Sequence, residues 1–352
     1  MSFDETPPWR RSAAELTECI IRWAAETGRG EVTDVKVPES GMSNETLLFR
    51  LDGKPLVARL APSHGSPFPL FPTHDLAGQA QTMRVVEQKS SVPVPHVEHL
   101  EMSVEWLGTP FLLMEQVEGV VPGDYPPYTF GGWLLEASEQ EQETLEESSI
   151  GVLVELHRIV DDEDTAHLQP SAPGDTSLAR QLAFQRSYYD WACEGTPVPI
   201  IEHAFEVLTA TMPETERSVL LWGDSRIGNI IFSDFRPAAV LDWEMATVGP
   251  PEVDVAWMTF FHSFFHGVAE QLEFPGLPNL FGRSRAVEIY ERLSGTQLDD
   301  LAWYEGFAAL RFAIISIRTT LRSVHFGQQA APENPDDVVM FIPLFRQILA
   351  EL

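Results

Sequence analysis

Leu220-Leu221-Trp222-Gly223-Asp224-Ser225-Arg226-Ile227-Gly228-Asn229-Ile230-Ile231-Phe232, followed by Ala239-Val240-Leu241-Asp242-Trp243-Glu244, is the stretch on which the reading of this chain turns. Two apolar runs, each the length of a short buried strand, end in an acidic residue, and the glycine-bearing loop between them carries Arg226 and Asn229. Asp224, Asn229 and Asp242 together supply carboxylate and amide oxygens. Such hard donors suit Mg²⁺, which keeps part of its water shell and is usually completed by substrate phosphates.

Trp222-Gly223-Asp224, Asn229 five residues after the aspartate, and Leu241-Asp242-Trp243-Glu244 resemble the aminoglycoside phosphotransferase family, small-molecule kinases with the protein-kinase-like fold. Within it the likeness is nearest to a bacterial branch related to kinase domains fused to acyl-CoA dehydrogenases, and it runs from Ser40 to Val255. The resemblance implies that Asp224 accepts or orients the proton of an acceptor hydroxyl, while Asn229 and Asp242 hold Mg²⁺ at the transferring phosphates. Beside the base, Arg226 could bind an anionic group of the acceptor, offset developing charge, or serve as a loop salt bridge. Asp254 matches an internal aspartate that hydrogen-bonds the catalytic-loop backbone. Trp222 stands where the broader family most often has histidine, and an indole can take over that structural role through packing and one N–H donor.

The same resemblance places nucleotide contacts nearer the N-terminus. Ser40, Gly41, Met42, Ser43 and Asn44 correspond to the loop over the phosphates, where Gly41 permits close backbone approach. Arg59 occupies the strand position of the phosphate-pairing lysine, a task its bidentate fork can perform. Gln79 falls where a glutamate normally pairs with that cation. The strand containing Met114 and Glu115, with Val117 just beyond, matches the hinge expected to contact adenine through its backbone. ATP is the expected donor, with GTP the alternative.

Bulk properties narrow the classes. With 352 residues and 39.4 kDa, 44% hydrophobic and 22% charged, the chain has the composition of a folded globular protein. Its 53 acidic against 23 basic residues give a formal net charge of -30, which disfavours nucleic acid and anionic membranes as partners. Cys19 and Cys193 have no paired spacing and fit a reducing compartment. The start, Met1-Ser2-Phe3-Asp4-Glu5, lacks a basic, apolar signal pattern, so a cytoplasmic location without membrane spans is expected.

Periodicity then divides the chain. A helix is expected from Ser12 to Glu26, strands at 32–37, 46–51 and 56–60 with a hairpin at Asp52-Gly53, a helix at 75–89 and a strand at 111–117. Helices dominate from Ser138 onward, including 140–159, the aromatic stretch 257–266, 298–324 and 335–349. The expected fold class is therefore α+β, with a β-rich nucleotide-binding lobe at 1–119 and a helical catalytic and acceptor-binding lobe at 120–352. His262 and His266 share a helical face and could line an acceptor pocket, although core packing is the plainer reading. Arg311 and Arg318, read as facing a cleft, favour an anionic acceptor such as a hydroxy acid or its thioester over an aminoglycoside. Phosphoryl transfer to a small-molecule hydroxyl is the leading expectation, and a nucleotide-binding module without catalysis is the alternative raised by Trp222, Arg59 and Gln79.

Overall fold

The computed structural model describes residues 11–38, 44–62, 68–299 and 301–352, so the readings at Ser40, Gly41, Met42 and Ser43 lie outside the described residues. By its contacts the chain divides into two compact units. One comprises Met1–Arg84, Pro95–Gln116 and Arg318–Ala331; the other comprises Val85–Val94, Val117–Ile317 and Pro332–Leu352.

The first unit is built on a five-stranded antiparallel sheet in the order β1-β2-β3-β5-β4, from β1 (Val32–Lys36), β2 (Glu45–Leu51), β3 (Lys54–Leu60), β4 (Val97–Glu101) and β5 (Phe111–Glu115). The β2–β3 turn is set by Asp52 and Gly53, both at positive φ (49° and 81°), the backbone that a two-residue hairpin with right-handed twist requires. Alternation in β2 sends Leu47 and Phe49 inward, and β3 contributes Leu56, Ala58 and Leu60 to the same core. Helix α1 (Ala13–Glu26) begins at an N-cap, Ser12, whose hydroxyl accepts from the Glu15 amide, and it lays Leu16, Ile20 and Trp23 on that core. Trp23 meets Phe111 edge to face at 5.2 Å, a geometry worth about 0.5–1.5 kcal/mol beyond area burial. Helix α2 (Leu76–Lys89) lies between β3 and β4 in sequence.

The second unit is mainly helical. After the short α3 (Trp133–Glu136), helix α4 (Glu139–Leu156) opens with a capping box between Ser138 and Glu141. It is followed by α5 (Ser177–Ala192), α6 (Pro199–Ala210), α7 (Glu252–Gln271), α8 (Arg283–Ser294), α9 (Leu301–His325) and α10 (Ile342–Ala350), with α9 continuing into the residues of the first unit. Its strands are short and paired: β6 (Val219–Leu221) with β9 (Thr247–Gly249), and β7 (Ile230–Ser233) with β8 (Arg236–Val240). The small antiparallel sheet and the mostly helical remainder make the chain α+β, as its patterning implies. Helix α8 has no counterpart in the sequence reading. Its mean hydropathy is low because Arg283, Arg285, Glu288, Glu291 and Arg292 outnumber the buried Ala286, Ile289 and Tyr290. Among the described residues, no helix is long and apolar enough to cross a membrane.

Candidate active site

Strand β6 ends at Leu221, and the chain then turns through Gly223 at φ +86°, where a Cβ would stand 1.9 Å from the Met245 carbonyl oxygen. Only glycine fits there. The loop continues through a 3-10 turn at Ile227–Asn229 into β7. Asn229 thus opens β7, and Asp242 follows the end of β8, its hairpin partner. The register brings them side by side: the Leu241 amide donates to the Asn229 carbonyl at 2.9 Å. Asp242 itself adopts φ +60°, an uncommon backbone for a residue other than glycine and a frequent mark of functional turns.

Asp224 is held from three sides. Its Oδ1 accepts from the Trp257 indole at 2.8 Å and from Arg226 Nε at 3.2 Å, and its Oδ2 accepts from Asn229 Nδ2 at 2.6 Å. The Asn229 amide nitrogen is therefore committed, which leaves its Oδ1 as the end available to a cation. Arg226 also donates from Nη1 to Asp124, and its guanidinium lies 5.6 Å from the Phe261 ring centroid. A Cβ at Gly228 would meet both Arg226 Nη1 and Asp124 Oδ1 at 2.6 Å, so that glycine makes room for the ion pair. Burial works to lower the Arg226 pKa, yet Asp224, Asp124 and Asp242 together hold it above its ordinary value. That all three carboxylates act on one guanidinium places Asp242 in the same neighbourhood as Asp224.

Beneath the loop the Asp254 carboxylate is fully buried. It accepts from the Trp222 amide at 2.7 Å and the Gly223 amide at 2.9 Å, while the Asp254 carbonyl takes the Ser225 hydroxyl at 2.8 Å. His157 faces the same carboxylate through Nε2 at 3.3 Å and meets the Tyr290 hydroxyl through Nδ1 at 2.9 Å, which makes it a packed support with no place in the chemistry. Trp222 takes the structural part expected of it: the indole is buried and donates from Nε1 to the Leu241 carbonyl at 2.8 Å, tying the catalytic loop to the Asp242 turn.

A narrow pocket lies beside Arg226, lined by Asp124, Tyr128, Met258, Phe261, His262 and Phe265 among others. His262 lies between the Tyr128 hydroxyl at 2.9 Å and the Leu277 carbonyl at 2.8 Å, and burial pushes its pKa down to about 4, so the ring is neutral near pH 7. Burial likewise raises the Tyr128 phenol and keeps it protonated. His262 lines the pocket, as its position on the helical face allowed.

Two sequence readings need correction. Arg311 and Arg318 do not face a cleft: they are 4% and 3% exposed. Arg311 donates to the Gly223 carbonyl at 2.8 Å, and Arg318 donates to the Pro69 carbonyl at 3.0 Å with its guanidinium over Phe68. Long aromatic helices bury cations along with rings when a carbonyl can take the charge-assisted bond, and i,i+7 spacing alone does not say which face is wet. Neither arginine therefore argues for an anionic acceptor.

The nucleotide-side residues that are described lie in the first unit, except Val117. Asn44 sits buried just before β2. Arg59 is half-buried on β3, paired in register with Thr46 and Leu112, and burial of His74, with the Arg59 charge beside it, lowers the pKa of that imidazole. Met114 is buried and Glu115 closes β5, with the Glu115 amide already donating to the His96 carbonyl at 3.0 Å and its carboxylate on Lys54 at 2.8 Å. Val117 follows half-buried and belongs to the second unit. Sequence reading overlooked Asp124, Trp257 and Arg311 as neighbours of the loop. Asp124 lies in a proline-rich loop without pattern, while Trp257, three residues after Asp254 and so one helical turn on, carried a signal that was readable.

An aspartate fixed on a strand-to-turn loop, an asparagine five residues on, and a second aspartate on the neighbouring hairpin form the constellation of a kinase-type phosphotransferase. Residues 34–274 match the phosphotransferase enzyme family (APH), and the chain belongs to it. It is 31% identical over 221 residues to mouse acyl-CoA dehydrogenase family member 10, covering 62% of this chain and 19% of that protein. With chicken acyl-CoA dehydrogenase family member 11 it shares 27% over 327 residues, covering 88% of this chain and 39% of the relative. The chain thus spans well under half the length of these relatives. Among solved structures, a candidate aminoglycoside phosphotransferase from Ralstonia eutropha superposes with a TM-score of 0.65 at 21% identity, covering 95% of this chain and 97% of that one. Macrolide 2'-phosphotransferase MphH from Brachybacterium faecium gives 0.59 at 17%, covering 92% and 98%. A thermostable variant of aminoglycoside phosphotransferase APH(4)-Ia, in a ternary complex with AMP-PNP and hygromycin B, gives 0.55 at 17%, covering 94% and 98%. These likenesses establish the protein-kinase-like fold.

Proposed function

We propose that this phosphotransferase moves the γ-phosphoryl group of ATP, with GTP as the alternative donor, to a hydroxyl of a small molecule in a Mg²⁺-dependent in-line reaction. The observation that carries the reading is the joined geometry of Asp224, Asn229 and Asp242: Asn229 bonds the Asp224 carboxylate through its side chain and the Asp242 turn through its backbone. The donor set fits a hard divalent cation. Mg²⁺ usually completes its shell with phosphate oxygens and water, so two protein ligands are enough for the proposed site. Asn229 Oδ1 and the Asp242 carboxylate would hold it, and when bound it supplies charge neutralisation at the transferring phosphates.

Asp224 then takes the hydrogen bond of the attacking hydroxyl and fixes its line of approach. Its donors from Trp257, Arg226 and Asn229 restrict the carboxylate to one orientation, so positioning is already present before the acceptor arrives. Arg226, secured by Asp124, brings its cation to the edge of the reacting group. On the donor side, Ser40, Gly41, Met42, Ser43, Asn44 and Arg59 are proposed for the phosphates and Met114, Glu115 and Val117 for adenine. AMP-PNP in the APH(4)-Ia complex supports nucleotide as donor.

For the acceptor, a hydroxy acid or hydroxyacyl thioester is favoured over an aminoglycoside. The support is the lining beside Arg226, where Met258, Phe261, Phe265 and Phe281 suit an aliphatic body. The acyl-CoA dehydrogenase names of the relatives agree with this preference. The working site is proposed as one catalytic unit with donor contacts in 1–119 and acceptor contacts in 120–352, acting in the cytoplasm. Incubation of the purified protein with Mg·ATP or Mg·GTP and hydroxy acids, hydroxyacyl-CoAs and aminoglycosides, read by mass spectrometry, tests it. Absence of any phosphorylated product, together with slow ATP hydrolysis unchanged in Asp224→Asn, overturns the enzyme reading. Mg-dependent nucleotide binding without turnover would mark a binding module instead.

A further inference from the structure

Asp224 is contacted by one residue that neither the loop nor the metal-side hairpin supplies. Trp257, on α7, donates its indole N–H to Asp224 Oδ1 at 2.8 Å. Over the same indole lies the Arg311 guanidinium from α9, 4.1 Å from the ring centroid, and its Nη2 donates to the Gly223 carbonyl at 2.8 Å. One cation therefore grips both the backbone before the aspartate and the ring that holds its side chain. The arrangement is a demanding one: Arg311 is 4% exposed, and its Nη1 has no hydrogen-bond partner. A buried guanidinium with an unmet donor is costly unless nearby groups favour the charge. Burial pushes Arg311 down to about 10, and the facing carboxylates of Asp254 and Asp224 oppose that fall.

We propose that Trp257 is a positioning residue of the phosphotransfer reaction, holding the Asp224 carboxylate in its reactive orientation through the indole N–H, and that Arg311 locks the indole by stacking on it while fixing the Gly223 peptide. The proposal rests on the kinase reading for its catalytic consequence, but the contact itself does not. A ring without the N–H keeps the packing and loses the hold. Arg311 stays charged across the working pH range, so the lock is a constant of the fold and not a switch.

The test is Trp257→Phe, which leaves an aromatic face under Arg311. With Mg·ATP hydrolysis in the absence of acceptor as the probe, kcat should fall about 10- to 100-fold with KM for Mg·ATP unchanged within about twofold and the same melting temperature. Arg311→Lys, which keeps the charge but not the planar stack, should give a smaller loss in the same direction. Unchanged kcat in Trp257→Phe overturns the proposal. So does a parallel loss of kcat, nucleotide affinity and melting temperature, because that is what a purely structural ring would show. A readout independent of turnover separates this from failure of the kinase reading: with the chain's 9 tryptophans ¹⁵N-labelled, the indole resonance missing from Trp257→Phe identifies Trp257. That resonance should shift in Asp224→Asn and be protected from exchange in the wild type. If it does neither, the contact does not exist in solution and the proposal fails. If it does both while the wild type neither hydrolyses ATP nor phosphorylates any of the acceptors, the hold stands and the kinase reading is what falls.

Discussion

The two faces of the catalytic loop are each organised by an aspartate, and they use it in opposite ways. Asp224 keeps 14% of its side chain exposed and, among the described residues, its carboxylate accepts from side chains. Asp254 is fully buried and spends its carboxylate on the Trp222 and Gly223 backbone amides. Accepting from backbone determines shape, whereas accepting from movable side chains determines orientation. The same carboxylate group can thus be structural or chemical according to which donors surround it.

Replacing the wet aspartate should have the largest effect. Asp224→Asn is expected to reduce kcat by about 10³-fold, about 4 kcal/mol in barrier, with little change in melting temperature. Loss of stability without loss of rate would reverse the roles assigned here. Asp254→Ala should do the converse, leaving the Trp222 and Gly223 amides buried and unmatched at a cost of about 3 kcal/mol, measurable by denaturant unfolding. Any loss of activity it causes should be recovered as temperature is lowered.

A comparable effect should appear on the pocket wall, as a dependence on pH. His262 titrates near 6.5 when unfolded and about 4 when folded, so its folded pKa is depressed. Above pH 6.5 both states are neutral and nothing is lost; as pH falls from about 6.5 toward 4, the unfolded chain binds the proton first and stability declines by about 3 kcal/mol. Melting temperatures at pH 7.5 and 5 should differ more in the wild type than in His262→Gln. Smallest is Trp222→Phe, which leaves the Leu241 carbonyl without its indole donor and should cost about 1 kcal/mol. Its sharper signature is a raised Mg²⁺ requirement with unchanged nucleotide affinity at saturating metal.

Much of this was legible from residues alone. The acidic residues just past strands β6 and β8, the hairpin at Asp52-Gly53 and the helices α1 and α4 all follow from local rules that act within a few residues, although the sequence reading began α1 at Ser12, which is its N-cap. The structural use of Trp222 and of Asp254, in the first turn of α7, was readable through the family resemblance. Arg311 and Arg318 were misread because a helical wheel gives faces but not which face meets solvent, and α9 is buried nearly all round. The Arg226–Asp124 pair was missed for a different reason: it joins residues 102 apart, and an irregular loop leaves no periodic trace of where its carboxylate will land.

The Leu241 peptide is secured at both ends, its N–H on Asn229 and its C=O on the Trp222 indole. Asn229 and Asp242 consequently cannot spread apart one at a time; any widening has to drag the buried indole with it. On the proposed reading that Asn229 and Asp242 hold the metal, a seat so tied suits a small ion with a strict octahedral shell and poorly suits a larger one that wants more oxygens. Calcium should therefore compete weakly with magnesium here, and a Trp222 variant with a looser anchor should narrow the gap between the two ions.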